Sequence, residues 1–206
     1  MGNIELANAT LKYSPHICAF FHSKEEEYRI LLPFISEGFD RHQKAFHIVN
    51  PDNLEPHRER LASAGIDVAA TQQTGQLEMR VWDQAYLRDG HFDQERMLAL
   101  IEEVLTEGKN DGFSATRLVA DMEWAREDRK GVEDLVVYET RLNHVLTKYD
   151  DPVCCTYDLS RFGADVVIDI LRTHPLVILG GVLQENPFFV PPDQMLAELR
   201  ERRAVA

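Results

Sequence analysis

The sequence predicts an α/β protein in which helices cover both faces of a mainly parallel central sheet, giving three layers. Apolar segments of strand length alternate with segments whose apolar residues recur every three or four positions, a pattern typical of strands joined by crossover helices. The strand segments are almost continuously apolar, as expected for strands buried on both faces. The 206 residues contain no internal repeat, low-complexity tract or linker. We therefore predict a single domain over 1–206, with its core at about 14–196.

The individual elements follow from these two patterns. Four near-continuous apolar runs are the predicted inner strands: His16–Phe21, Lys44–Val49, 116–122 and 153–157. Two further strands are predicted, one at 76–82, where apolar and polar side chains alternate, and one at Leu176–Leu179. Helical spacing predicts helices at 25–40, 54–64, 94–107, 132–149, 160–172 and 192–203. Ser23 and Glu26 have the spacing of a capping box at the start of the first helix.

The composition disfavours several classes of protein. The chain has 22 basic and 35 acidic residues, for a formal net charge of −13, which argues against a nucleic-acid surface and against docking to anionic lipid. No apolar run reaches the roughly 20 residues of a membrane span, and no basic region followed by an apolar core marks a secretion signal. Three cysteines do not make a disulfide framework. We therefore expect a cytoplasmic protein that contacts neither nucleic acid nor membrane.

The first predicted strand, turn and helix resemble the entrance of a RecA-type nucleotide-binding domain. The turn holds Ser23 and Lys24, similar to the Lys-Ser/Thr pair of a phosphate-binding loop. The GxxxxGK[ST] spacing is absent, however, and no glycine between Ala19 and Gly38 lets backbone N–H groups turn toward a phosphate. Three consecutive glutamates at 25–27 place negative charge at the helix N-terminus, where a phosphate would bind. This pattern indicates a degenerate nucleotide-binding scaffold and favours a sensor over an ATPase.

Several short phrases of the sequence together resemble the MEDS domain, a sensory domain of methanogens and methylotrophs named for a dichloromethane-responsive regulator. The phrases are HICAFF at 16–21, GQLEM at 75–79, YLRDGHFD at 86–93, DMEW at 121–124, YETRLN at 138–143, LRTHPLVILGG at 171–181 and NPFFVPP at 186–192. The resemblance covers about 14–196. It implies a divergent relative of RecA and of the circadian-clock ATPase KaiC that senses small molecules, such as hydrocarbon or one-carbon derivatives. Because little sequence follows the last predicted helix, the resemblance implies that the output passes through a separate signalling or transcription protein.

The catalytic positions of clock-type ATPases also have counterparts in this sequence. In those enzymes the second strand ends in two glutamates that activate the attacking water, and here the corresponding residues are Asn50 and Pro51, neither of which can act as a base. The Walker-B position corresponds to Asp121, with Glu123 two residues further on. Asp121 without a correctly presented loop would hold magnesium weakly. We therefore predict no catalytic residues, and the cofactor is left unknown.

The ligand site is predicted from the position of polar and aromatic residues at strand ends. In open α/β sheets, ligands bind beyond the carboxyl ends of the strands. The residues at these ends that we predict to bind the ligand are Ser23, Lys24, Asp121, Glu123, Trp124 and Tyr157. The alternative is that they are helix caps and solvated loop ends, with Trp124 as a lid over the core.

The sequence does not predict a metal site, although it contains one candidate set of residues. His16 and Cys18 lie two apart on one strand, and with His47 on another strand they could bind a soft metal. Burial in the core is the favoured interpretation, because no CxxC or HxxxH pair is present. An inward-facing Glu139 would need a partner such as His16 or Arg172, and the sequence does not choose between them.

The leading hypothesis is a non-catalytic, small-molecule sensory module that acts through a partner regulator or kinase. One alternative is a residual nucleotide-binding, ATPase-like protein that uses Lys24 and Asp121. The other is a structural subunit that has kept the ability to form homo-oligomers. Binding of nucleotides compared with one-carbon compounds separates these hypotheses, since a ligand that prefers the native state raises the melting temperature.

Overall fold

The computed structural model of the chain describes residues 4–11 and 16–205. Its strands are β1 (Ile4–Leu6), β2 (Ala9–Leu11), β3 (His16–Phe21), β4 (Lys44–Val49), β5 (Leu77–Val81), β6 (Thr116–Asp121), β7 (Val153–Asp158), β8 (Leu176–Leu179) and β9 (Val182–Glu185). Its α-helices are α1 (Lys24–Asp40), α2 (Leu54–Ser63), α3 (Val68–Gln73), α4 (Gln94–Asn110), α5 (Leu135–Leu146), α6 (Ala164–Thr173) and α7 (Pro192–Val205).

The predicted fold class is confirmed. The central sheet has the strand order β5-β4-β6-β7-β3-β8-β9, and all neighbours are parallel except β8 and β9. All four predicted inner strands lie inside this sheet. The extent of the domain, 1–206 with a core at 14–196, stays a prediction, and residues 1–3, 12–15 and 206 lie outside the described part.

The two faces of the sheet are covered by different helices, which gives the three layers. Helices α1 and α2 and the β1–β2 hairpin pack on one face, against side chains such as Ile17, Ala19 and Cys154. Helices α4, α5 and α6 pack on the other face, against side chains such as Cys18 and Cys155. Successive residues of a strand point to opposite faces. The parity of a residue within its strand therefore decides which helical layer it meets.

Three differences from the predicted elements have local causes. The chain continues past β8 into β9 through Gly180 and Gly181, whose φ angles of 59° and 77° suit a two-residue hairpin turn. Helix α6 begins four residues later than predicted, because Ser160 donates to the Asp158 carboxylate in a turn. The short hairpin β1–β2 and helix α3 were not predicted.

The helices of the described ranges include none that is long and apolar enough to cross a membrane.

Candidate functional site

The candidate site lies at the carboxyl edge of the sheet, where α1 begins. Ser23 is the N-cap of α1, with extended backbone, and its hydroxyl accepts the backbone N–H of Glu26 at 3.2 Å. The Glu26 carboxylate accepts the N–H of His22 at 2.8 Å, so the cap differs by one residue from the predicted capping box. This cap fixes the first turn of α1. It thereby places Lys24 over the ends of β6 and β7.

Lys24 is held by carboxylates and does not project freely into solvent. Its Nζ lies 2.8 Å from Glu27 Oε2 and 2.9 Å from Asp121 Oδ2, with Glu123 Oε1 at 3.7 Å. Asp121 also accepts the backbone N–H of Glu123 at 2.9 Å, which orders the turn after β6. Arg161 contributes a second cation, 2.6 Å from Glu123. Three carboxylates therefore face two cations, and the ammonium group that would meet a phosphate is already neutralised.

Burial and charge shift the pKa values of this cluster in opposite directions. Burial alone would lower the pKa of Lys24, but the carboxylates of Glu27 and Asp121 outweigh burial and raise it. Burial raises the pKa of Glu27 against the opposing effect of Lys24. Burial, followed by the charge of Asp121, also raises the pKa of Glu123. The carboxylates thus favour the protonated ammonium of Lys24, while Lys24 offsets part of the cost of burying the charge of Glu27.

A cavity of about 200 Å³ opens beside Lys24, between α1, α2 and the ends of β4 and β6. We call it the edge cavity. Its polar lining includes Lys24, Tyr28, His47, His57 and Asp121, and its apolar lining includes Ile48, Val49, Pro56 and Val119. The edge cavity therefore combines converging polar and charged groups with an apolar patch, and convergent polar groups fix the orientation of a ligand in small-molecule sites.

A chain of three hydrogen-bonded side chains runs along the edge cavity. The Tyr28 hydroxyl lies 2.7 Å from His57 Nδ1, and His57 Nε2 lies 2.9 Å from His47 Nδ1. Burial and the charge of Lys24 lower the pKa of His57 to about 4. Burial, with a contribution from His57, lowers the pKa of His47 well below its usual value. Both rings are therefore neutral at pH 7, and each accepts on one nitrogen while donating from the other.

His47 carries an unsatisfied polar atom. Its side chain is fully buried, and its Nε2 has no hydrogen-bond partner within the described residues. The protons of the chain can be arranged in two ways, which make this Nε2 either a donor or an acceptor. An unpaired buried nitrogen costs free energy. A ligand in the edge cavity that hydrogen-bonds to His47 would recover that free energy.

The structure brings four of the six predicted ligand residues together and separates the other two. Ser23, Lys24, Asp121 and Glu123 meet at the carboxyl edge on the α1 face. Trp124 and Tyr157 are buried on the opposite face. The Trp124 indole stacks on Tyr86 with ring centroids 4.5 Å apart, and the Tyr157 hydroxyl donates to Glu139 at 2.8 Å.

The separation of these two aromatic residues follows from strand parity. Asp121 pairs with Thr156, so Thr156 shares the α1 face while Tyr157, one residue later, points to the other. Tyr157 therefore lies at the same sheet edge as Asp121 but on the other face of the sheet. Trp124 covers the core, which is the position that the alternative interpretation gave it. A different aromatic residue, Tyr28, lines the edge cavity.

Tyr28 and His57 were missed by the sequence reasoning. Tyr28 lies four residues after Lys24 on α1, and residues at this spacing share a helix face, so this signal was available. His57 lies on α2, and its contact with His47 depends on how α2 packs on the sheet. No local pattern indicates that contact.

The residues considered for a metal are also separated by the sheet. His47 faces α1 and α2, whereas Cys18 and His16 point to the opposite face, and Cys18 lies 3.7 Å from the carbonyl oxygen of Leu176. These three side chains therefore do not converge on one point. Among the described residues, the group that could hold a metal is instead His16, Glu139, Cys155 and His174. His16 and His174 are the partners of Glu139, and Arg172 pairs with Glu198.

Comparison with known proteins agrees with this fold. The transcriptional repressor DcmR of Methylorubrum extorquens (strain DSM 6343 / CIP 106787 / DM4) is 25% identical over 175 residues. The match covers 82% of this chain and 62% of the repressor, so this chain spans about three fifths of that relative.

Two solved structures from Pyrococcus horikoshii share the fold. The KaiC-like protein PH0186 of strain OT3 has a TM-score of 0.55 and 16% identity, with 80% of this chain and 70% of that chain covered. The uncharacterized protein PH0321, solved in complex with an unknown peptide, has a TM-score of 0.59 and 14% identity, with coverages of 81% and 77%. The family model for the MEDS domain, the methanogen/methylotroph DcmR sensory domain, matches residues 15–175. The chain belongs to the MEDS family of sensory domains.

Proposed function

We propose that this chain is a non-catalytic sensory module that binds a small, uncharged or cationic organic molecule in the edge cavity. The observation that carries the proposal is the buried, unpartnered Nε2 of His47, a residue that lines a cavity of about 200 Å³ with both polar and apolar side chains. Membership of a sensory family supports the role.

The size and charge of the edge cavity disfavour a nucleotide. Drug-sized ligands occupy cavities of roughly 300–1,000 Å³, so this cavity suits a compound of few non-hydrogen atoms. Glu25 and Glu27 line it together with Asp121, and Lys24 is already paired with two of these carboxylates. A triphosphate would meet net negative charge. One-carbon and small hydrocarbon derivatives fit both the volume and the charge.

Binding of a ligand can change the hydrogen bonds that join α1 to α2. Tyr28 on α1 bonds His57 on α2, and Arg60 on α2 lies 3.3 Å from Glu25 and over the Tyr28 ring at 5.2 Å. A ligand that bonds His47 fixes the proton arrangement of the Tyr28–His57–His47 chain. It thereby changes the strength of the interhelical contact. We propose that a transcription or signalling partner detects the resulting change at α2.

A thermal-shift screen tests this proposal. The probes are methylamine, methanol, formamide and dichloromethane, with ATP–Mg²⁺ and GTP–Mg²⁺ as the competing class. A compound at about 100 times its Kd stabilises the native state by about 2.7 kcal/mol, or roughly 5–11 °C in Tm for a domain of this size. We expect a small organic probe to give such a shift and the nucleotides to give none.

Matched variants test whether the compound that raises Tm binds in the edge cavity. Val49→Phe narrows the edge cavity and keeps His47, while His47→Phe removes the unpartnered nitrogen. Both are expected to abolish the shift, whereas Trp124→Phe, on the opposite face of the sheet, is expected to keep it. A shift produced by ATP–Mg²⁺ and lost in Lys24→Ala would instead favour the nucleotide-binding alternative. A shift that persists in both cavity variants would refute the proposed site.

A further inference from the structure

Four buried side chains from four segments meet on the sheet face opposite the edge cavity. They are His16 of β3, Cys155 of β7, Glu139 of α5 and His174 of the α6–β8 connection. Each offers one potential ligand atom, and these atoms all lie within 4.8 Å of one another. The four residues are 2% exposed or less. We call them the core tetrad.

Four of the six distances between ligand atoms in the core tetrad are close to the edges of a tetrahedral metal site. His16 Nε2 lies 3.1 Å and His174 Nε2 lies 3.5 Å from Glu139 Oε2. Cys155 Sγ lies 3.7 Å from both His16 Nε2 and Glu139 Oε2. A zinc ion with bonds of about 2.0–2.1 Å to nitrogen and oxygen and about 2.3 Å to sulfur has tetrahedral edges of about 3.3–3.6 Å. The two remaining distances, from His174 to His16 and to Cys155, are at most 4.8 Å, so an ion would bind once His174 moves to within about 3.6 Å of both.

The outer hydrogen bonds of His16 aim its lone pair at the centre of the tetrad. Its Nδ1 lies 3.2 Å from Asn143 Oδ1. The orientation of the Asn143 amide is fixed because its Nδ2 donates to the carbonyl oxygens of Glu139, Thr140 and Thr173. Asn143 Oδ1 can only accept, so His16 Nδ1 carries the proton. The Nε2 of a neutral His16 is then an unprotonated donor of electrons to a metal.

His174 and Glu139 are held in the same way. His174 Nδ1 lies 2.9 Å from the carbonyl oxygen of Ile170, which places the ring proton on Nδ1. Its Nε2 has no hydrogen-bond partner among the described residues. The Tyr157 hydroxyl donates to Glu139 Oε1 at 2.8 Å and leaves Oε2 turned toward the tetrad. Metal ligands typically have this second layer of hydrogen bonds, which sets their tautomer and orientation.

Without a cation, the unprotonated Nε2 atoms of His16 and His174 direct their lone pairs toward Glu139 Oε2, which also carries lone pairs. Two ring nitrogens lie within 3.5 Å of the same carboxylate oxygen, Glu139 Oε2, in a buried site. A single proton shared with Glu139 would satisfy one of these contacts and leave the other ring nitrogen unpaired, which is costly in a buried site. A divalent ion satisfies all of them at once. It also deprotonates the Cys155 thiol by coordination.

We propose that His16, Glu139, Cys155 and His174 bind one Zn²⁺ in a closed tetrahedral site. The mixture of imidazole, thiolate and carboxylate suits zinc, and four protein ligands with no open position are typical of a structural site. The ion would join β3, β7, α5 and the α6–β8 connection inside the core. Because the site is closed, zinc would enter as the chain folds.

The test begins with the wild-type chain. The chain is unfolded in denaturant that contains a chelator, which removes any bound metal. It is then refolded with an excess of Zn²⁺ or Co²⁺ and separated from free metal. We expect about one zinc per chain by elemental analysis and a Tm that falls when the chain is refolded without metal. The Co²⁺ form is expected to show the visible bands of tetrahedral cobalt and a thiolate-to-metal charge-transfer band.

Cysteine variants identify the thiolate. The chain has three cysteines, and Cys154 lies next to Cys155 but on the opposite face. Cys154→Ser and Cys18→Ser are expected to keep the charge-transfer band, and Cys155→Ser is expected to lose it. If Cys155→Ser does not fold, persistence of the band in the double variant Cys18→Ser/Cys154→Ser assigns it to the remaining thiol. Refolded wild-type chain without stoichiometric metal, or a band lost in Cys154→Ser, would overturn the proposal.

Discussion

The replacement Lys24→Met tests the charge balance at the carboxyl edge of the sheet. Methionine keeps most of the side-chain volume and removes the ammonium group that lies 2.8 Å from Glu27 and 2.9 Å from Asp121. Removing one partner of a buried ion pair costs about 3–5 kcal/mol. We expect the low end, about 3 kcal/mol, because 29% of the Lys24 side chain is exposed. For a domain of this size, that corresponds to a fall in Tm of roughly 6–12 °C.

The loss of stability caused by Lys24→Met should be larger at high pH than at low pH. Burial raises the pKa of Glu27, and removal of Lys24 raises it further. A carboxyl group whose pKa is higher in the folded than in the unfolded state binds more protons when folded, so its contribution to stability falls as pH rises through the folded pKa. The difference between wild type and variant should therefore be large at pH 7 and smaller at pH 5. Urea unfolding followed by circular dichroism at the two pH values measures it.

Two further variants complete this experiment. Lys24→Met/Glu27→Gln removes both partners of the shortest ion pair that Lys24 makes, and it should recover part of the stability lost in Lys24→Met. Lys148→Met removes an exposed pair with Glu102 at 2.6 Å and should leave Tm unchanged, since exposed ion pairs contribute little. Wild-type stability of Lys24→Met at pH 7 would refute the idea that the cluster depends on this ammonium group.

Three other predictions concern nucleotide binding, a glycine and a tryptophan. ATP with magnesium should bind no tighter than millimolar and should not be hydrolysed; micromolar calorimetric binding lost in Lys24→Ala would contradict this. Gly131→Ala should destabilise the fold by more than the roughly 1–3 kcal/mol of a left-handed alanine, because its φ is 89° and a Cβ would overlap the Phe92 carbonyl oxygen. Gly112→Ala, at φ 87° with open space around it, is the control in denaturant unfolding. A ligand in the edge cavity should leave Trp124 fluorescence unchanged, and quenching of that emission on binding would place the ligand on the other face.

Much of the fold could be predicted from the sequence because its strands carry a strong local signal. His16–Phe21, Lys44–Val49 and Leu176–Leu179 have the predicted bounds, since near-continuous apolar runs bounded by turn residues leave few alternatives. Element ends were less accurate, as in the late start of α6. There a turn formed by Asp158 and Ser160 replaces the first helical residues.

The site was only partly predictable because it depends on sheet faces and on contacts distant in sequence. Lys24 and Asp121 were predicted from their positions at strand ends, but the position of Tyr157 depends on which face of β7 it occupies. The contact between His47 and His57 forms only when α2 packs on β4. Likewise, the core tetrad joins segments from His16 to His174, a separation that no local pattern bridges.

The position of a bound compound tests the proposed sensory role most directly. The wild-type chain would be crystallised with the small organic probe that raises Tm most in the screen. We predict that the compound lies between α1 and α2, with a polar atom at hydrogen-bonding distance, about 2.7–3.2 Å, from His47 Nε2. A compound bound on the α4–α6 face of the sheet, or on the outer surface with no contact to His47, would contradict the proposed function.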